Sequence, residues 1–362
     1  MKNMRAMTRD DVTEEFSLAM SGQPREYALG RSTGTIKTYA IEANVGDTAE
    51  HALKRVSALA KSADLKFAQL QDESLAVIHS DDQTLVVDVL DSRFWLVHTT
   101  AKADFAKSIL RGAVWADRDL DWCWLPKALV AEIGKAGEVA WFRSDFSSDE
   151  LTPGHGQRAR RLRVQLEGDR AYELLDVISG NPDYRHAASL TAVAIRTSQR
   201  GFGHLEEIAD YKGRFVGHGD SFELHVGLVS QVIRSYAQIV RDLEQTYALK
   251  WSVGDGGGAN LEGQVITLRF KKQIEDFDRF LSGLFSCREP FRLWGVPKRI
   301  SDSAAIVDAV DLHVGSVLRM DVLADGLRVY LSDDNCGNSV TRLLANLQHR
   351  YDATIESPVR TN

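Results

Sequence analysis

His98-Thr99-Thr100 closes the apolar run Phe94-Trp95-Leu96-Val97 and leads directly into a helical pattern from residue 101 to 112. An imidazole and two hydroxyls at the end of a strand, just ahead of a helix, can bind or polarise a ligand, because strand-to-helix junctions are where α/β proteins commonly hold one. A carboxylate, Glu167, ends a second strand-like run, Arg163-Val164-Gln165-Leu166-Glu167. Just upstream of it, Arg158, Arg160, Arg161 and Arg163 crowd beside Gly154-His155-Gly156, a concentration of guanidinium groups suited to phosphates. Smaller basic groups are Lys271-Lys272 and the set Arg292, Lys298 and Arg299 around Phe291 and Trp294.

Other residue types argue more weakly for chemistry. His204, His218 and His225 fall close together among acids, but without the i, i+4 or His-Glu-x-x-His spacing that a metal needs. Cys123, Cys287 and Cys336 are odd in number and far apart, the usage expected of reduced thiols in the cytoplasm. Trp115, Trp122 and Trp124 lie in one short section, as rings lining a ligand or partner groove would. No phosphate-cradling glycine loop, dinucleotide fingerprint or nucleophile elbow occurs, and no metal or cofactor is expected from the residues themselves.

The elements that must position these groups follow from periodicity. Thr48 or Asp47 caps a helix through residue 63 that carries Leu53, Val56, Leu59 and Ala60 on one face. Strands at 66–70, 75–79, 84–90 and 94–97 follow, with Asp81-Asp82 and Asp91-Ser92 as turns. Residues 101–133 read as a helix in two pieces. Further strands fall at 138–142, 162–166, 190–196 and 205–211, and a long helix at 222–247 with Asp220 and Glu223 as its capping box. A helix at 274–285, a short strand at 291–294, strands at 307–312, 317–323 and 327–331, and a last helix capped by Asn338 or Ser339 complete the chain.

Antiparallel runs of strands with helices before and after them indicate an α+β fold of two lobes, each a mainly antiparallel sheet with packed helices. With 362 residues the chain is longer than one core usually grows. The expected division is a loose leader over 1–38, α+β lobes over 39–180 and 187–355, and a tail over 356–362. A formal charge of −7 gives no global attraction to nucleic acid or anionic membranes, so such binding would have to come from a local patch. No run is long and apolar enough to span a bilayer.

The segment around His98 resembles the opening of the ADP-ribosyltransferase fold, where a strand ends in His-x-Thr and the next helix carries Ile-Leu-x-x-Gly; His98, Thr100, Ile109, Leu110 and Gly112 stand at those places. The resemblance implies an NAD-consuming transferase using His98, Thr100 and Glu167, in which His98 binds the NAD ribose and the later glutamate, Glu167, polarises the reacting ribose. Arg200-Gly201-Phe202-Gly203 similarly resembles the first four residues of an RNA-recognition-motif signature. The leading expectation is a non-catalytic cytosolic binding protein, a subunit of a larger assembly in a bacterial stress or antiviral-defence setting. Its partner would be a protein, a second copy or nucleic acid. The transferase using His98, Thr100 and Glu167 is the alternative.

Overall fold

Thr8 begins the first helix with a reciprocal pair of bonds. Its hydroxyl accepts the Asp11 N–H at 3.2 Å while the Asp11 carboxylate accepts the Thr8 N–H at 2.8 Å, the capping box that starts α1 (Arg9–Met20). The computed structural model describes residues 4–22, 34–80, 83–152, 161–168, 170–253 and 259–359. Among them are eight α-helices and three mostly antiparallel sheets, an α+β fold with sheet lobes. No helix among these residues is long and apolar enough to cross a membrane. Two compact units are drawn from the chain, neither continuous in sequence. Residues 1–123, 133–138 and 194–234 make the first, and 124–132, 139–193 and 235–362 the second. The boundary expected near 180–187 lies inside the second unit.

In the first unit α1 precedes β1 (Thr35–Ala43), which begins four residues before Tyr39, where ordered structure was expected. Thr48 caps α2 (Ala49–Ser62) by accepting the His51 N–H at 3.3 Å, as its spacing predicts. A meander follows: β2 (Lys66–Gln69), β3 (Leu75–His79), β4 (Thr84–Asp88) and β5 (Phe94–Thr99). Then come α3 (Ala103–Ala116) and β6 (Leu120–Trp122). The chain next supplies the second unit with most of α4 (Lys127–Ile133), the hairpin β7 (Glu138–Ser147) and β8 (Arg161–Glu167), and α5 (Ala171–Gly180). Within β9 (Leu190–Gln199) it returns to the first unit, adding β10 (Gly203–Asp210), β11 (Arg214–Gly219) and the first half of α6 (Phe222–Asp242).

β1 is the central strand. It pairs antiparallel with β5 on one edge and β11 on the other, inside the order β2-β3-β4-β5-β1-β11-β10, and β6 joins its last residues. Alternation along a strand sends successive side chains to opposite faces. Tyr39, Ile41 and Ala43 pack with Val56 of α2 and Leu110 of α3. Ile36 packs on the other face with Val77, Val86, Phe16 of α1 and Phe222 of α6. Arg9 fastens α1 to this face through Asp72 at 3.0 Å, Ser74 at 2.7 Å and Asp88. The expected cap of α6 shifts by one residue. Ser221 Oγ accepts the Leu224 N–H at 3.2 Å, and Asp220 is drawn away to the His204 N–H at 2.7 Å.

In the second unit the two-stranded β12 (Lys250–Val253) and β13 (Ala259–Glu262) stands apart from a six-stranded sheet. That sheet contains β14 (Ile266–Arg269), β15 (Leu293–Gly295), β16 (Lys298–Ser301), β17 (Ala304–Asp311), β18 (Val317–Leu323) and β19 (Gly326–Tyr330). Its order is β14-β19-β18-β17-β15, with β16 also on β17. The helices are α7 (Phe277–Leu284), capped by Asp276, and α8 (Gly337–Arg350). Ser339 does not cap α8 as expected; the cap position is Cys336, and Ser339 Oγ bonds Asp311 instead. Every residue of α8 from Gly337 to His349 is buried. A helix buried all round must satisfy its polar side chains internally. Arg342 accordingly pairs with Asp311 and donates to Phe291 O at 2.9 Å, and Asn346 donates to Arg342 O at 2.8 Å.

Candidate functional site

His98 is 2% exposed, not at an open strand mouth as its sequence position suggests. The reason is that β5 continues through Thr99 and stays paired on both sides, His98 lying opposite Thr38 of β1 and Val86 of β4. Phe16 and Phe222 also meet its ring edge-on, at centroid distances of 6.2 and 5.2 Å. Thr38 Oγ1 lies 2.7 Å from His98 Nδ1 and 2.6 Å from His225 Nε2, and His225 Nδ1 lies 2.6 Å from Glu207 Oε2. These four buried side chains form one hydrogen-bonded line, His98–Thr38–His225–Glu207. Gly217 leaves room for it: a Cβ there would stand 2.8 Å from His225 Nδ1 and 3.1 Å from Glu207 Oε2.

A hydroxyl donates once and accepts elsewhere, so the line can run in either direction. With Glu207 ionised, His98 Nδ1–H donates to Thr38, Thr38 to His225 Nε2, and His225 Nδ1–H to the carboxylate. A proton added at His98 Nε2, followed by one transfer at each bond, leaves Glu207 protonated and every bond reversed. Burial favours the neutral form at both ends. It holds the His98 imidazolium well below its usual range, helped by the nearby His225 and Arg9, and raises the Glu207 carboxyl against the opposing pull of His225.

A pH effect follows for His98. Below about pH 6.5 an unfolded histidine takes up a proton that buried His98 refuses, so stability falls as the pH drops through that value towards the depressed native one. Its slope reaches about 1.4 kcal/mol per pH unit. Glu207 acts in the opposite sense, losing stability as pH rises above about 4.3, so the two must be separated by mutation. Urea midpoints of His98→Gln should fall less steeply than wild type between neutral and mildly acid pH; parallel curves would show that His98 is not the group responsible.

The other face of the same sheet holds open space. Between α2, α3 and the sheet lies an apolar cavity of about 440 Å³, walled by Val56, Leu59, Ile78, Trp95, Ile109 and Leu110. Small residues create it: Ala60 on α2 and Ala63 just past its end line it together with Gly112, Ala113 and Ala116 on α3. A Cβ added at Gly112 would meet nothing within 4 Å. Gly112→Ala should therefore raise stability by about 0.5–1 kcal/mol through helix propensity alone, read as a higher urea midpoint. The two lining hydroxyls are turned back on their helices, Ser62 donating to Leu59 O at 2.8 Å and Ser108 to Phe105 O at 2.9 Å. Arg55 of α2 joins Asp117 and Asp119 just past α3, tying the helices together.

The remaining sequence-chosen residues are spread over both units. Thr100 is buried beside Thr99, whose hydroxyl donates to Thr84 O at 2.6 Å. His98 and Thr100 belong to the first unit and Glu167 to the second. Glu167 is the exposed last residue of β8 and accepts from Gln165 Nε2 at 2.7 Å. Arg161 and Arg163 project from the same exposed face of β8 and are bonded to Asp149 at 2.6 Å and Asp145 at 2.7 Å; Arg158 and Arg160 lie outside the described residues. Trp115 is 61% exposed on α3, Trp122 is half-buried on β6, and Trp124 is buried in the second unit, its N–H donating to the Tyr236 hydroxyl.

Neither the buried line nor the cavity was read from the sequence. Thr38 and His225 are 187 positions apart, so no local spacing announces the line. The cavity had a signal, the small residues at 60, 63, 112, 113 and 116 on helix faces that should be filled by large ones.

Residues 1–362 match the family described as MJECL33-like protein. A relative from Methanocaldococcus jannaschii, described as "Uncharacterized protein MJECL33", is 24% identical over 361 residues, spanning 88% of this chain and 85% of its own. With its whole length matched, the chain belongs to the MJECL33-like protein family.

Proposed function

We propose that this protein is a non-catalytic binding protein of the cytoplasm, and that its first unit holds an apolar small molecule between α2, α3 and the sheet. The cavity carries this reading. It is partly open to solvent, and at about 440 Å³ it is roughly three times the ~150 Å³ cavity that suffices to bind benzene. Its walls are mostly carbon and its hydroxyls are already bonded, so it offers a ligand burial and shape. Four polar groups of the same unit, in contrast, are bonded to one another in the buried His98–Thr38–His225–Glu207 line. Cys123, Cys287 and Cys336 are not joined in disulfides, which agrees with a reducing compartment.

The test is titration of the purified protein with N-phenyl-1-naphthylamine, a neutral dye that brightens in apolar surroundings. Wild type should bind it, and Ala113→Phe, which places a ring in the cavity, should weaken binding at least tenfold without lowering the urea midpoint. Equal dye binding by both proteins would move the ligand elsewhere and end this reading.

A further inference from the structure

The six-stranded sheet of the second unit has one face in the core and one in solvent. Val307, Met320, Val329 and Ile266 point inward and are fully buried. The alternate residues form rows across the open face. Trp294, Val310 and Val317 lie side by side on β15, β17 and β18. Next come Asp308, Arg319 and Tyr330, and then Lys298, Ile306, Asp321, Arg328 and Thr267 across five strands. Alternation of polar and apolar residues explains the arginines of such a face. It does not explain an indole left 50% exposed in one row with a Val317 that is 52% exposed.

Charge on this face is sorted. Asp308 is 3.9 Å from Arg319, and Asp321 accepts the Tyr330 hydroxyl at 2.7 Å. Among the described residues Lys298 and Arg328 have no carboxylate partner, on a chain whose formal charge is −7. The sequence grouped Lys298 and Trp294 with Arg292, Arg299 and Phe291. The structure separates them: Arg292 and Phe291 are buried, and Arg299 sits 4.7 Å over the Phe277 ring.

We propose that this open face binds single-stranded nucleic acid, with a base stacked on Trp294 and backbone phosphates at Lys298, Arg328 and Arg319. A flat exposed ring among apolar neighbours, with Lys298 farther along the same edge of β17 and Arg328 three strands away, meets both requirements of single-strand binding, stacking and backbone charge. An acidic peptide would use the cations and leave the ring idle, and a duplex keeps its base faces covered.

Fluorescence anisotropy of a labelled oligothymidylate with the full chain tests this. Trp294→Ala should weaken binding about tenfold. Arg328→Ala should reduce the slope of log affinity against log salt by about 0.7, the loss of one phosphate contact on a single strand. Trp115→Ala, at an exposed tryptophan of the other unit, should change neither. No binding at low salt, or binding that both face variants leave intact, overturns the proposal. So does competition by a polyglutamate peptide as effective as that by unlabelled oligothymidylate, which would assign the face to an acidic protein.

Discussion

Asp311→Ala should cost about 4 kcal/mol of unfolding free energy, the largest effect of any single truncation considered, because it removes a counter-charge from a buried cation. Both side chains of the Asp311–Arg342 pair are 1% exposed. Asp311 gathers the Arg342 guanidinium, the Ser339 hydroxyl and the His313 N–H at 2.9 Å, and Arg342 also donates to Phe291 O at 2.9 Å. Removing the carboxylate takes this counter-charge from a guanidinium held in a low-dielectric interior. Removing both charges should cost less than the two single losses together, since an apolar side chain fills the space without needing a partner. Urea unfolding of Asp311→Ala, Arg342→Leu and the double variant gives the comparison. Additive losses would mean that the pair is uncoupled and that packing alone holds α8 against β17.

Glu207→Ala comes second, at about 3 kcal/mol, by the same reasoning applied to a hydrogen-bonded line. Without the carboxylate, His225 Nδ1 is left buried with no acceptor, and the orientation of Thr38 and His98 is no longer fixed from that end. Gly217→Ala should reproduce part of the loss, about 2 kcal/mol, by pushing a methyl into the His225–Glu207 contact. If Glu207→Ala unfolds at the wild-type urea midpoint, the line contributes nothing to holding β1, β5, β10 and α6 together.

Local structure was legible where turn chemistry and periodicity agreed. The bounds of β3 match the expected strand at both ends, β2 and β4 match at their starts, and Thr48 caps α2, all from Asp, Ser and Thr at the junctions. β1 was illegible for a physical reason. Lys37 and Glu42 argue against a central strand until their partners are seen: Lys37 Nζ donates to Ala101 O at 3.1 Å, and Arg93 pairs with Glu42 at 2.7 Å. The caps of α6 and α8 were misplaced because Asp220 and Ser339 found stronger partners in His204 and Asp311. His98 stood out by type, but its setting is decided by residues on β1, β10 and α6, which no window of sequence contains.

The central place of β1 also sets a schedule for the growing polypeptide. Its first neighbour, β5, ends at Thr99, but its second, β11, starts only at Arg214. At ordinary synthesis rates the ribosome needs on the order of ten seconds to cover that interval. For that time one edge of an apolar strand waits without its hydrogen-bonding mate, a period in which chaperones or misassembly compete with the native sheet.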